Sequence, residues 1–300
     1  MPTTSLLRSL SDELASVIAS VLPSTVTICG GGATLGSSSS GSGWIFDNNG
    51  YIVTNAHVVS SIVGALKIKP AGRPQVEGEI VGVDQETDLA VVRCNVSQPC
   101  RPIKVRTTAP RLGELCLAVG SPLNLNESAS LGIISGLSRQ STHPDGHKIE
   151  EMIQTDASIN PGNSGGPLLD ASGELLGVNT LGIGETVNFA VSSETVLRII
   201  PELIRFGSVQ RAAIGISIAS SWLPTEHGGG EAIQVCSVSD RTSPLKPGDF
   251  LISIEGMPVK RRIDIQGMLG RSSIGRELSV EILRDGQHFE VKLTPRNSGA

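Results

Sequence analysis

The chain has 300 residues, room for two or three compact units that each bury a core. Its 35 glycines and its 3% of aromatics suit short strands joined by tight turns. Net charge is -5 and the 24 Lys and Arg residues are spread along the chain, so no basic stripe offers itself to nucleic acid, and no apolar run reaches the ~18 residues of a membrane span.

The first 22 residues carry Arg8, Asp12 and Glu13 where a secretory leader needs an apolar centre, so they read as a helix. Ser9 is its expected cap with Asp12 three residues on, Leu14, Val17, Ile18, Val21 and Leu22 share a face, and Pro23 follows. Without a leader the expected location is the cytoplasm, a truncated exported protein being the alternative. Residues 30–43 are low-complexity Gly and Ser and are expected to form a flexible surface loop. Residues 46–51 read as a hairpin with Asn49-Gly50 at its turn. Short strands are expected at 76–83 and 89–92, then at 114–120, 130–137, 149–155 and 174–179. Residues 192–206 have helical apolar spacing that Pro201 should break or kink. The organisation expected is a first domain over 1–206, a linker at 207–210 and a β-rich domain over 211–300, where Asp285-Gly286 turns one strand into the next. The five cysteines, Cys29, Cys94, Cys100, Cys116 and Cys236, are odd in number and show no zinc spacing. Cys94 and Cys100 can pair, but buried free thiols are the expected state.

Chemistry concentrates in three places. Ser164 lies in Asn160-Pro161-Gly162-Asn163-Ser164-Gly165-Gly166-Pro167, where the glycines let the backbone turn sharply and present amides around a projecting hydroxyl. His57 ends an apolar strand beside Ala56, as a general base would, and Asp88 opens another, where a carboxylate can hold one imidazole tautomer. Singly, each has a plain alternative: a tight turn, a structural histidine, a turn cap. Together, in the order His, Asp, Ser, they match the trypsin-like double barrel and not the α/β-hydrolases. The remaining histidines, His143, His147, His227 and His288, read as surface residues.

These three segments, together with residues 43–46, 155–161 and 173–180, resemble the HtrA/Deg family of trypsin-like serine proteases, and the resemblance covers nearly the whole chain. It implies a mainly β fold of two six-stranded antiparallel barrels followed by a small PDZ-like α+β domain. His57 would be the general base and acid, Asp88 its orienting partner and Ser164 the nucleophile, with the amides of Gly162 and Ser164 as the oxyanion hole. Asn163 stands where zymogen-activated relatives have an aspartate that pairs with a freed N-terminus, so activation by clipping is not expected. Six positions before the nucleophile stands Ser158, which pairs with no cation, and the apolar Ile159, Leu181 and Ile183 are the expected lining of a pocket for small aliphatic residues. Ile214, Gly215 and Ile216 would supply the carboxylate-binding loop of a peptide site. The implied function is endoproteolysis of unfolded or damaged polypeptides, modulated by C-terminal peptides, with neither metal nor organic cofactor and with a homotrimer by analogy. The rival reading is a peptide-binding, chaperone-like module whose protease part rests inactive, and an esterase is a third.

Overall fold

The computed structural model describes residues 5–30, 40–94, 101–121, 127–142, 148–183 and 187–298. The chain divides into two units, Met1–Ser208 and Val209–Ala300.

In the first unit, α1 (Leu6–Val21) precedes β1 (Thr25–Gly30), β2 (Ser40–Ile45), β3 (Tyr51–Thr54), α2 (Ala56–Ser60), β4 (Leu66–Pro70), β5 (Val76–Asp84) and β6 (Leu89–Cys94). These strands close a barrel in the order β1-β2-β3-β6-β5-β4. A second set follows: β7 (Leu115–Gly120), β8 (Ser128–Thr142), β9 (Lys148–Thr155), β10 (Pro167–Asp170), β11 (Leu175–Ile183) and β12 (Val187–Ser192). It closes as β10-β11-β12-β9-β8-β7, every pairing antiparallel. The fold is thus mainly β, with two closed six-stranded barrels. Apolar side chains fill each barrel: Val26, Ile28, Ile52, Ile68 and Val92 in the first, Cys116, Ile134, Ile153, Leu168 and Leu176 in the second.

Helix α3 (Ser193–Phe206) follows β12 and buries Val196, Ile199, Ile200 and Leu203 against β5, β6 and β11. Ser192 caps its start, its hydroxyl accepting from the Thr195 amide, and Gly207 ends it with φ 71°. Pro201, expected to break or kink the helix, does not break it and lies inside it: the residue is exposed, so the carbonyl it leaves without a donor can turn to water while the buried face stays intact.

Two further expectations need correction. The cap of α1 is Ser5, whose side chain accepts from the Arg8 amide, because the helix takes in Leu6, Leu7 and Leu10 ahead of the face the sequence suggested. The Gly/Ser run is not a loop throughout, since Gly30 ends β1 and residues 40–43 are strand β2, with Gly41, Ser42 and Gly43 buried. Its glycines answer crowding: a Cβ on Gly41 would lie 2.6 Å from Val58 Cγ2.

Arg106 bridges Glu114, at the start of the second barrel (3.0 Å), and Asp170, at the end of β10 (3.3 Å), while Arg111 reaches Glu114 at 2.6 Å. The hydrogen bond from Arg111, then that from Arg106, outweigh burial and hold the Glu114 carboxyl down at about 2. Cys29, Cys94 and Cys116 are buried free thiols and Cys236 an exposed one; Cys100 lies outside the described residues. Burial pushes the Cys116 thiol up to about 11, which keeps it unreactive.

In the second unit, β14 (Ile216–Trp222), β15 (Glu231–Val238), β16 (Phe250–Ile254), β18 (Leu278–Arg284) and β19 (Gln287–Leu293) form a sheet in that order, with β17 (Met257–Pro258) paired to β16. Helix α4 (Arg262–Met268) contributes Ile265 to a core with Ile233, Val235, Leu251 and Ile282. A short pair, β13 (Ala212–Ala213) with β20 (Arg296–Asn297), completes it. The turn between β18 and β19 is Asp285-Gly286, both with positive φ (48° and 76°), as a two-residue hairpin turn requires.

Candidate active site

Strand β3 ends at Thr54 and the chain turns into α2, which begins just before His57. The turn is tied to Asp88 at several points. The Asp88 carbonyl accepts from the Asn55 side-chain amide (2.9 Å) and from the Ala56 amide (3.1 Å), and the His57 amide donates to Asp88 Oδ1 at 3.0 Å. These bonds hold Asp88 at φ 55°, a left-handed conformation that costs a non-glycine residue roughly 1 kcal/mol. In that conformation its carboxylate faces the imidazole, with His57 Nδ1 2.8 Å from Oδ2 and 3.0 Å from Oδ1. Asp88 is 1% exposed and His57 31%. A carboxylate only accepts, so Nδ1 carries the proton and the Nε2 lone pair is left as the base.

The Ser164 turn is built on two glycines with positive φ, Gly162 (100°) and Gly165 (85°). A Cβ on Gly165 would stand 2.1 Å from the Ser42 carbonyl oxygen and 2.3 Å from Thr54 Oγ1, so glycine is required there on both counts. The amides of Asn163, Gly165 and Gly166 donate to the carbonyls of Asn160, Asn179 and Asn163, and the Ser164 carbonyl accepts from the Ser42 amide at 2.8 Å. The Ser164 hydroxyl donates to the Thr180 carbonyl at 2.7 Å. The Thr180 hydroxyl donates to Asp88 Oδ2 at 2.5 Å, so residue 180 touches both the serine and the aspartate. Asn163 is buried, with Oδ1 lacking a hydrogen-bond partner among the described residues.

Thr180 carries no role in the reading of the sequence. It is the last residue of the 173–180 stretch, but its partner Asp88 is 92 residues away, and only the folded chain brings the two together. Ile159 is 8% exposed and packs in the second barrel core. Leu181 and Ile183 lie on β11 opposite Phe189 and Val187, and their side chains are outside the described set. Ser158 is exposed and its carbonyl accepts from Ser130 Oγ. In the second unit Gly215 has φ 67°, and its carbonyl accepts from both the amide and the hydroxyl of Ser239. Ile216 opens β14, whose other edge is not paired by any described strand. His227 is half-buried and His288 exposed, whereas His143 and His147 fall outside the described residues. Among the described residues no group of three His, Cys, Asp or Glu is placed to hold a metal ion, and no helix is long and apolar enough to cross a membrane.

Residues 41–178 match the model of the trypsin-like peptidase domain. Protease Do-like 1, chloroplastic, of Arabidopsis thaliana is 37% identical over 282 residues, covering 86% of this chain and 64% of the relative, so the chain spans less than two thirds of that protein. Serine endoprotease DegS of Escherichia coli K12 is 35% identical over 275 residues, 85% of this chain and 76% of the relative. Among solved structures, an HtrA-type protease AlgW with tripeptide superposes with a TM-score of 0.77 at 28% identity, covering 95% of this chain and 97% of that one. The expected cytoplasmic location is corrected by such relatives: Do-like 1 is named as chloroplastic, and DegP of E. coli, 31% identical, as periplasmic. They point away from the cytoplasm, and the charges in the first helix carry no information about compartment.

Proposed function

We propose, from the premise that this chain belongs to the HtrA/Deg family of trypsin-like serine proteases, that it is a serine endopeptidase working through an acyl-enzyme. The observation that carries this reading is the two-oxygen grip of buried Asp88 on His57 Nδ1, which leaves Nε2 as the base. Seating of a substrate turns the Ser164 proton from the Thr180 carbonyl to Nε2, and Oγ attacks the scissile carbonyl. Asp88 stabilises the imidazolium, the amides of Gly162 and Ser164 hold the oxyanion, and His57 passes its proton to the leaving amine. Water then enters, and the same groups hydrolyse the ester.

Substrates are unfolded or damaged polypeptides, cleaved after small aliphatic residues. Support for the preference comes from Ser158, which offers no anion to a basic side chain, and from the apolar character of Ile159, Leu181 and Ile183. Within the second unit, residues 211–300 are read as a PDZ-like domain that binds the C-terminal ends of peptides. Support comes from the open edge of β14 after the Ile214-Gly215-Ile216 loop, where an added strand would gain main-chain hydrogen bonds. An incoming strand would displace the Arg262 guanidinium, which donates to the Ile218 carbonyl on β14. A homotrimer follows by analogy with the family, and exposed Leu6, Leu7 and Leu10 on α1 offer an apolar surface for self-association. The test is casein digestion by wild type, Ser164→Ala and His57→Ala, followed by a peptide-library profile. Both variants should be inactive and the profile should favour Val, Ala or Ile; turnover by Ser164→Ala, or a profile dominated by Lys or Arg, contradicts the reading.

A further inference from the structure

Every polar atom of Ser42, on β2, is hydrogen-bonded, and its amide and hydroxyl both reach the Ser164 turn. Its amide donates to the Ser164 carbonyl at 2.8 Å, and its own carbonyl accepts from Thr54 Oγ1 at 2.7 Å, in the strand that leads to His57. Its hydroxyl lies 2.6 Å from the Gly162 carbonyl oxygen and 2.8 Å from the Ser121 amide. An amide can only donate and a carbonyl can only accept, so the directions are fixed: the hydroxyl accepts from Ser121 and commits its single proton to Gly162. Ser42 is fully buried, and no water competes for that proton.

Glycine at position 162, with φ 100°, leaves the peptide unit between Gly162 and Asn163 little to stop it rotating except what holds its two ends. Both ends are held. The carbonyl is held by Ser42 Oγ, and the Asn163 amide donates to the Asn160 carbonyl at 2.9 Å. The Gly162 amide sits on the neighbouring peptide plane, joined to this one at the Gly162 Cα through φ and ψ, so anchoring the second plane restricts how far the first can swing. We infer that Ser42 is a positioning residue for the oxyanion turn: its hydroxyl fixes the Gly162 carbonyl and thereby keeps the Gly162 amide aimed at the developing oxyanion. The inference rests on the reading of Gly162 and Ser164 as oxyanion donors and adds the residue that preorganises them.

The experiment compares wild type, Ser42→Ala, Ser42→Cys, Thr27→Val and Ser164→Ala on a fluorogenic peptide. Active sites are counted by labelling to completion with a fluorophosphonate, and Tm is recorded for each protein. Thr27→Val is the structural control, because Thr27 Oγ1 donates to Ser121 Oγ at 2.7 Å in the same buried region without touching Ser42 Oγ. For Ser42→Ala the expected result is a kcat per labelled site lower by about 10- to 100-fold, a matching fall in the rate of labelling, and a KM within about twofold. Ser42→Cys, with a weaker donor, should fall between that and wild type, and it carries the test if the alanine variant does not fold. Thr27→Val should lower Tm by a few degrees and leave kcat per site unchanged. Wild-type kcat per site in Ser42→Ala, or in Ser42→Cys where that variant stands in, overturns the inference while an inactive Ser164→Ala leaves the protease reading standing. An active Ser164→Ala removes both.

Discussion

Replacing Glu114 by Gln tests whether the ion pairs at the mouth of the second barrel stabilise it as the geometry implies. Glu114 is 14% exposed and receives Arg111 Nε at 2.6 Å and Arg106 Nη1 at 3.0 Å. A carboxyl held at about 2 instead of 4.5 corresponds, at 1.36 kcal/mol per factor of ten, to about 3 kcal/mol at neutral pH. Arg111 is 83% exposed, so solvent screening brings the expectation down to about 2 kcal/mol. Because the folded-state value is depressed, the contribution is complete above 4.5, shrinks as pH falls from there towards 2, and is absent below that. The assay is urea unfolding followed by the fluorescence of Trp44, which is fully buried in the first unit, at pH 7 and at steps down to pH 2.5. Wild type should exceed Glu114→Gln by roughly 1 M in midpoint at pH 7, and the gap should close with acid. A gap independent of pH, or none at pH 7, would show that these ion pairs do not stabilise the barrel.

Two other substitutions probe the site. Gly165→Ala places a methyl 2.1 Å from the Ser42 carbonyl oxygen at φ 85°, and should cost about 3 kcal/mol or more with loss of activity; calorimetry showing an unchanged Tm would contradict the close packing described. Thr180→Val removes the hydroxyl 2.5 Å from Asp88 Oδ2, so stability should drop by about 2 kcal/mol and kcat/KM by about tenfold; steady-state kinetics and thermal melts equal to wild type would show that Asp88 does not need this donor.

The candidate positions Ser164, His57 and Asp88 could be picked out because each sits in a short segment whose local composition suits its proposed role, with a glycine turn around Ser164, a strand end at His57 and a strand start at Asp88. Both barrels were legible in outline from strand-length apolar segments between turn residues. What escaped depends on partners distant in sequence. Residues 40–43 read as loop because Gly and Ser are poor strand formers, yet their smallness is what allows β2 to lie against Val58, Ile28 and the Ser164 turn. Thr180 looks like any strand threonine, but it falls at the register shift between Asn179 and Leu181 and its hydroxyl bonds Asp88. Pro201 on its own predicts a break or kink, while the buried face of Val196, Ile199, Ile200 and Leu203 outweighs the single backbone bond it removes.

Everything proposed for the first unit depends on Ser164 being a nucleophile activated by His57 and Asp88. The decisive measurement is to expose the folded protein to a fluorophosphonate and locate the adduct by mass spectrometry of the digested chain. A single adduct on Ser164, absent from both Ser164→Ala and His57→Ala, is the expected result. An adduct on another residue, or casein cleavage that persists with Ser164 unmodified at saturating reagent, would contradict it.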